Sequence, residues 1–263
     1  MKISVIGGGN MGGAIAFGAI SQGVVAAEDV TISHLSQKMR PLFGECAQLV
    51  KQDNINDEAI ANSDIIIVAV KPWLVDEVLA QISPSIDREC QSLISVVAGV
   101  SFKALSQMLM FDEFGPIPLY RVIPNTAISI GQGVSIISSC GASDKLDAVV
   151  VELFSALGAT FVVEESQMTP LTSLSSCGIA FALRYIDSSM KAGEAVGLDQ
   201  ALSLEVTLKT MQGAVAMLQR NASLPQTEID KVTTKGGITL KGLEAMKREG
   251  FQDAVMCAIK ESR

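Results

Sequence analysis

A run of glycines near the N-terminus constrains the fold of this chain more than any other feature. Residues 7–12 read GGGNMG and fit the pattern GxGxxG. The run follows a β-branched stretch, Lys2–Ile6, and opens a segment with small residues at helical spacing, Asn10–Gln22. In a strand–turn–helix unit such glycines permit a tight turn, the approach of a phosphate to the backbone, and close helix–strand packing. The sequence therefore predicts a dinucleotide site, with a glycine turn that binds no ligand as the alternative. Its predicted contacts are Gly7, Gly9, Asn10, Met11 and Gly12.

Apolar stretches of strand length alternate with helical patterns up to about residue 164. The most apolar stretch, Asp64–Val70, is closed by Lys71 and Pro72. Runs of this kind are typical of parallel strands that are buried on both faces, and their alternation with helices predicts a doubly wound α/β sheet of the Rossmann type. Further strands are predicted at 30–33, 92–98, 119–123, 133–137 and 160–163, and helices at 73–82, 102–110 and 145–157.

The pattern changes near residue 165. Residues 167–220 contain no convincing strand, and Asp199 is placed to cap a helix after Gly197 and Leu198. We therefore predict a dinucleotide-binding domain over residues 1–164 and an all-helical domain over 165–263. A helical block rich in small and apolar residues often packs against a second copy of itself, so the prediction is a homodimer or a higher homo-oligomer.

Composition excludes several classes of function. The chain has 263 residues, a formal charge of −8, no block of Lys or Arg, and only one Trp and two Tyr, so a nucleic acid is not expected as a partner. No apolar run approaches the roughly 20 residues that span a bilayer, and no signal-peptide pattern occurs. Five widely spaced cysteines and a single His do not form a metal-binding pattern. We expect a cytoplasmic protein with neither a metal, a membrane nor a nucleic acid as partner.

The segment after the second strand bears on which dinucleotide binds. An NAD site carries an acidic residue there for the ribose 2′-hydroxyl, whereas this chain reads TISHLSQK at residues 31–38. Ser33, His34 and Ser36 can hydrogen-bond a 2′-phosphate, with Lys38 nearby. The sequence thus favours NADP(H), with NAD(H) left open, and His34 can equally be an ordinary surface histidine.

Two further strand ends carry polar groups. Lys71 and Pro72 follow Ala69 and Val70 at the sheet edge where ligands bind, so these four residues are assigned to the cofactor, with a solvated lysine as the alternative. The stretch 121–126, RVIPNT, is another such strand end. No motif for a serine nucleophile, a zinc protease or a Walker loop occurs. Hydride transfer remains, because the cofactor supplies the hydride and the protein orients it.

A second glycine turn lies near the C-terminus, in the stretch VTTKGGITLKGL at residues 232–243. Gly236 and Gly237 precede a predicted helix and offer backbone N–H groups to a carboxylate, and Thr239 adds a hydroxyl. A simple turn between helices is the alternative.

Taken together, these segments resemble the pyrroline-5-carboxylate reductase family. The resemblance is carried by GGGNMG, by AVKP at 69–72, AGV at 98–100 and IPNT at 123–126, and above all by VTTKGGITLKGL. It implies a Rossmann domain, a helical domain that interlocks two subunits, and NAD(P)H-dependent reduction of the cyclic imine 1-pyrroline-5-carboxylate to L-proline. It also implies that Asn56 contacts the cofactor ribose, and that Gly236, Gly237 and Thr239 form the substrate-carboxylate loop.

Departures from the family pattern concern the substrate side. Residues 175–181 read SSCGIAF where the family reads like SGSGPAY, which keeps Ser175 as a substrate-binding candidate. Residues 222–224 lack the acidic residue and the His common there, Lys235 replaces a Pro, and Ala127 ends the PNTP motif. Two alternatives stay open: a different imine or β-hydroxyacid oxidoreductase, and a non-catalytic NADP-binding regulatory or scaffold protein.

Overall fold

The computed structural model describes residues 1–48, 51–53 and 60–263, and it divides into two compact units, residues 1–176 and 177–263. Within the described residues, eight strands of the first unit form one sheet in the order β3-β2-β1-β4-β5-β6-β7-β8. The strands are β1 (Ile3–Ile6), β2 (Val30–Ser33), β3 (Lys51–Asp53), β4 (Ile65–Val68), β5 (Ser92–Ser95), β6 (Leu119–Pro124), β7 (Gly133–Cys140) and β8 (Gly158–Val162). The doubly wound Rossmann-type sheet predicted from the sequence is confirmed.

The helices of the first unit cover both faces of this sheet. They are α1 (Asn10–Ser21), α2 (Arg40–Phe43), α3 (Val75–Ile82), α4 (Phe102–Met108), α5 (Phe111–Phe114), α6 (Asp144–Ser155) and α7 (Glu165–Thr172), and a π-helical turn follows at Ser173–Cys177. Strand β4 shows why two layers are needed. Ile65 and Ile67 pack into one core cluster with α1 and α6, while Ile66 and Val68 pack into the other with α3 and α4. Alternate residues of a strand point to opposite faces, so a strand that is apolar throughout is buried on both.

One strand pair departs from the parallel pattern. β6 and β7 are antiparallel, and every other neighbouring pair of described strands is parallel. Only residues 125–132 join β6 to β7, and part of them forms a 3₁₀ turn, Thr126–Ile130. A parallel crossover needs a dozen or more residues, so a connection this short can return the chain only in the antiparallel direction.

The second unit is helical throughout. It contains α8 (Gly178–Ala195), α9 (Gln200–Asn221), α10 (Pro225–Val232), α11 (Ile238–Arg248) and α12 (Phe251–Glu261). The predicted cap of α9 is present, because the Asp199 carboxylate accepts a hydrogen bond from the Leu202 amide at 3.1 Å. The division between units falls at residues 176 and 177, whereas the sequence places a domain boundary at 164 and 165, which stays a prediction.

The helical unit has almost no core of its own. In residues 177–263, all of which the structure describes, only Ser203 and Glu228 are buried. Large apolar side chains lie exposed on its helices and at the helix ends, for example Val196, Leu224 and Ile238 at 78%, 76% and 87% exposure. Such a surface is far more apolar than a free helical domain can stably present to water.

Among the described residues, no helix is both long and apolar enough to cross a membrane.

Candidate active site

A cleft of about 800 Å³ lies at the carboxyl ends of β1, β4 and β5. Strand β1 neighbours both β2 and β4, so the chain runs outward from it in two directions, and ligands of open α/β sheets bind at such a switch point. Its lining residues come from four segments that are far apart in the sequence. They are Ile6–Met11, then His34, Ser36 and Lys38, then Ala69–Pro72 with Leu74 and Val78, and lastly Val96–Ala98.

The glycine turn forms the floor of this cleft, and the surroundings of Gly7, Gly9 and Gly12 differ. Gly7 has a φ of +101°, and a Cβ there would lie 2.8 Å from the carbonyl oxygen of Ala69. A Cβ on Gly12 would clash with the carbonyl oxygen of Gly7. A Cβ on Gly9 would meet no atom within 4 Å, because Gly9 faces open space. Gly7 and Gly12 are therefore required by the protein's own packing, and Gly9 leaves room for a ligand.

Helix α1 presents free amides to the same space. No side chain caps its N-terminus, and Gly13 donates the first helical hydrogen bond, to the Gly9 carbonyl at 2.8 Å. The amides of residues 10–12 thus have no intrahelical acceptor, and the helix dipole adds roughly half a positive charge. The open face over Gly9 and these donors fit the pyrophosphate of a dinucleotide.

The segment after β2 forms one end of the cleft. His34, Ser36 and Lys38 line it, as the prediction for a 2′-phosphate requires. His34 holds a left-handed backbone with a φ of 58°, and its Nδ1 lies 2.7 Å from the Ser33 hydroxyl. Ser33 itself is fully buried and does not line the cleft. Its carbonyl accepts from the amides of Gly7 and Gly8, so its place in the structure is to support the turn rather than to face the ligand.

The other end of the cleft is built by the loop after β4. The Ala69 amide donates to the Ile6 carbonyl at 2.8 Å, which fixes the loop against β1. Ala69, Val70, Lys71 and Pro72 all line the cleft, and Lys71 is exposed. Arg121 does not, because it is 7% exposed and forms an ion pair with Glu165 at 2.8 Å.

Sequence reasoning left some cleft residues unassigned. Leu74, Val78 and Val96–Ala98 supply its apolar wall. Val96–Ala98 end a predicted strand beside the switch point, and this position is the signal that could have identified them. Asn56, the predicted ribose contact, lies outside the described residues.

Ser175 lies in the π-helical turn Ser173–Cys177. Its carbonyl oxygen accepts from the side-chain amide of Asn125 at 3.2 Å, and its own hydroxyl is buried without a hydrogen-bond partner in the part of the chain that the structure describes. π-helical turns are rare and often accompany functional sites. Ser175 does not line the cleft around the glycine turn.

The second glycine turn joins α10 to α11 in the helical unit. Gly236 has a φ of +77°, and the Gly237 amide donates to the Thr234 carbonyl at 2.9 Å. No side chain caps α11 at Gly237, so its first amides are available to an anion. Thr239 lies in the first turn of that helix and is exposed. The turn therefore places backbone donors beside a hydroxyl, as the predicted carboxylate loop requires.

The fold and the glycine cleft define a dinucleotide-dependent oxidoreductase of the Rossmann type. Comparison with known proteins supports this assignment for the N-terminal and the C-terminal parts of the chain. Residues 2–99 match the family model "NADP oxidoreductase coenzyme F420-dependent", and residues 165–263 match "Pyrroline-5-carboxylate reductase dimerisation". The chain is 32% identical to the pyrroline-5-carboxylate reductase of Glycine max, over 99% of its own length and 94% of that protein's. The chain belongs to the pyrroline-5-carboxylate reductase family.

Solved structures show the same likeness. The Plasmodium falciparum pyrroline carboxylate reductase, crystallised with NADP bound, has a TM-score of 0.90 and 28% identity, covering 100% of this chain and 95% of that one. The 1-pyrroline-5-carboxylate reductase of Streptococcus pyogenes has a TM-score of 0.85 at 28% identity, covering 100% of this chain and 96% of that one. This chain is an oxidoreductase that uses NAD(P)H.

Proposed function

We propose that this protein reduces the C=N bond of 1-pyrroline-5-carboxylate to give L-proline, with NADPH or NADH as reductant. The similarity that spans 99% of the chain at 32% identity to a reductase of that name carries the proposal. The cleft and the second glycine turn supply the chemical basis for this reaction. One offers donors for a dinucleotide, and the other offers donors for a small carboxylate.

The residues divide the task as follows. Amides of the first turn of α1 would hold the pyrophosphate of the dinucleotide, and Gly9 leaves room for it. Ser36, His34 and Lys38 would contact the adenosine ribose, and Ala69–Pro72 with Val96–Ala98 bound the remainder of the cleft. When bound, the nicotinamide supplies the hydride. The turn at Gly236 and Gly237 presents the free amides of the first turn of α11, and these amides hold the substrate carboxylate.

The reaction adds a hydride to the imine carbon and leaves a proton on the ring nitrogen. An iminium carbon is already electrophilic, so the protein needs no strong side-chain acid. We assign the Thr239 hydroxyl, or a water that it holds, to the nitrogen. Thr239 is exposed in a single chain, and this accessibility is compatible with contact to a substrate.

We also propose that the protein is a homodimer or a higher homo-oligomer. The helical unit, with its two buried side chains and its many exposed apolar ones, supports this assembly, since a second copy would cover them. A mass near 27.7 kDa in solution, measured by light scattering, would refute it. The free cysteines, of which Cys90, Cys140 and Cys257 are exposed, lead us to propose a reducing, cytoplasmic location.

The decisive assay follows oxidation of NADPH and NADH, side by side, with 1-pyrroline-5-carboxylate, and identifies L-proline by chromatography. Turnover to proline is the expected result. Cofactor binding without turnover would favour a regulatory or scaffold protein. Turnover of a hydroxy acid or keto acid instead would favour a dehydrogenase, and either outcome would overturn the proposal.

A further inference from the structure

Glu228 is the one charged residue of the helical unit, residues 177–263, that the fold buries. It lies in α10 and is 8% exposed. A buried carboxylate is costly unless donors surround it. The hydrogen-bond donors around Glu228 therefore show how the cost of its burial is offset.

Three donors converge on a single oxygen of this carboxylate. Oε1 of Glu228 accepts from the Asn221 side-chain amide at 3.2 Å, from the Ser223 hydroxyl at 2.5 Å and from the Lys231 ammonium at 2.8 Å. Hydrogen bonds from Lys231 and then from Ser223 lower the pKa of Glu228 from 4.5 to about 2. The carboxylate is therefore ionised throughout the physiological range, and this charge strengthens the three hydrogen bonds that it accepts.

The donors enclose a strained residue. Asn221 ends α9, Ser223 lies in the linker to α10, and Ala222 between them has φ 47° and ψ 38°. This left-handed conformation is uncommon for a residue with a Cβ and persists only where surrounding contacts impose it. Glu228 bonds the residue on each side of Ala222, and these two bonds hold the turn in place.

The same helix leads directly into the second glycine turn. α10 ends at Val232, and the Thr233 hydroxyl donates back to the Ile229 carbonyl at 2.6 Å. Only residues 233–237 separate α10 from α11, which begins at Ile238. With so short a connection, the direction of α10 sets the place where the loop begins.

We propose that Glu228 is a positioning residue: by holding the left-handed turn at Ala222, it orients α10 and thereby places the Gly236–Thr239 loop for the substrate carboxylate. The inference rests on the proposed function, because that loop is the assigned binding site. It also accounts for the segment 222–224, which lacks the acidic residue common in the family, since a carboxylate reaches that segment from α10 instead.

Hydrogen exchange in the full-length protein tests the structural half of this proposal. Glu228→Ala should speed exchange of the hydrogen-bonded loop amides of Thr233 and Gly237 by at least fivefold. Asp187→Ala is the matched control, because Asp187 also pairs with a lysine, Lys191 at 2.8 Å, but on exposed α8. Asp187→Ala should leave the exchange rates of the loop amides within twofold of the wild-type rates. Equal exchange in wild type and Glu228→Ala would overturn the proposal.

Kinetics test the functional half. Glu228→Ala should raise KM for 1-pyrroline-5-carboxylate at least fivefold and leave KM for NADPH within twofold. Adding Ala222→Gly should restore the substrate KM to within twofold of wild type, because glycine adopts the left-handed turn without strain. If both KM values rise together, or if Ala222→Gly restores nothing, Glu228 has only a general structural role and the proposal fails.

A further variant and the activity of the wild-type protein distinguish failure of this proposal from failure to fold and from failure of the proposed function. If Glu228→Ala does not fold, Ser223→Ala removes one donor and should give the same changes to a smaller extent; unchanged loop exchange in that variant would overturn the proposal. If the wild-type protein makes no proline, the proposed function fails, while the exchange measurement still decides whether Glu228 holds the loop.

Discussion

The side-chain amide of Asn125 donates to the carbonyl oxygen of Ser175 over 3.2 Å, and this bond joins the end of β6 to the π-helical turn at 173–177. The same side chain also accepts from the backbone amides of Ala127 at 3.2 Å and Val134 at 3.3 Å. Asn125 is 4% exposed. One buried side chain thus connects a strand end, a 3₁₀ turn and the turn that carries a substrate-binding candidate.

Asn125→Ala should therefore lower the free energy of unfolding by about 1–3 kcal/mol, because buried backbone donors lose their acceptor. KM for 1-pyrroline-5-carboxylate should rise as Ser175 loses its support. Urea unfolding and steady-state kinetics measure the two effects. Ser129→Ala is the control: its exposed hydroxyl donates to the Thr126 carbonyl at 3.0 Å, and its loss should cost less than about 0.5 kcal/mol. Equal losses in the two variants would contradict this role of Asn125.

Gly9→Ala and Gly12→Ala should fail in different ways. An added Cβ at Gly9 meets only open space, so the variant should keep the wild-type Tm but raise KM for NADPH at least tenfold, because the methyl group occupies the phosphate position. An added Cβ at Gly12 would clash with the Gly7 carbonyl, so Gly12→Ala should have a lower Tm than wild type even without cofactor. Thermal unfolding of both proteins, followed by kinetics, distinguishes them. A cofactor KM unchanged in Gly9→Ala would exclude the pyrophosphate from this face.

Ser36→Asp should shift the cofactor preference away from NADPH and toward NADH. Ser36 lines the cleft after β2, where a carboxylate would repel a 2′-phosphate and accept from the 2′-hydroxyl of NADH. We expect the ratio of kcat/KM for NADPH to that for NADH to fall at least tenfold. Ser36→Asn, of nearly the same size but uncharged, should change the ratio much less. If the two variants behave alike, shape rather than charge selects the cofactor.

Thr239→Val should lower kcat/KM for 1-pyrroline-5-carboxylate at least tenfold, roughly the loss of one charge-assisted hydrogen bond. The shape of the side chain is kept and only the hydroxyl is lost. Thr227→Val is a matched control, because Thr227 is also exposed but lies on α10 before the loop. Unchanged kinetics in Thr239→Val would reject the role of its hydroxyl.

Much of the first unit can be predicted from local pattern alone. The apolar run before Lys71 must be a strand buried on both faces, because each of its residues needs an apolar environment on its own side of the sheet. Strand β3, Lys51–Asp53, was not predicted: three polar residues at the edge of a sheet carry no hydrophobic signal. A strand was predicted at 133–137, where β7 lies, but its antiparallel direction was not, although the short connection before it contained the information.

The candidate site also has features that local sequence predicts and features that depend on tertiary structure. Sequence by itself predicted the two glycine turns and the strand ends, since each depends on residues that are neighbours along the chain. Tertiary structure decided which of these residues meet. Ser33 and His34 are adjacent in sequence, yet Ser33 is buried and His34 lines the cleft. The left-handed backbone at His34 and the hydrogen bonds to the Ser33 carbonyl set this difference.

The glycines show the same limit most clearly. Sequence spacing assigned them to a dinucleotide turn, but only the fold distinguishes Gly12 from Gly9. A Cβ at Gly12 would clash with the Gly7 carbonyl, whereas Gly9 faces open space. The physical reason is that the energetic cost of adding a side chain at a glycine depends on the atoms that the rest of the chain brings near that position. Glu228 is a further example, because the residues that surround it become partners only when α9 and α10 meet at Ala222.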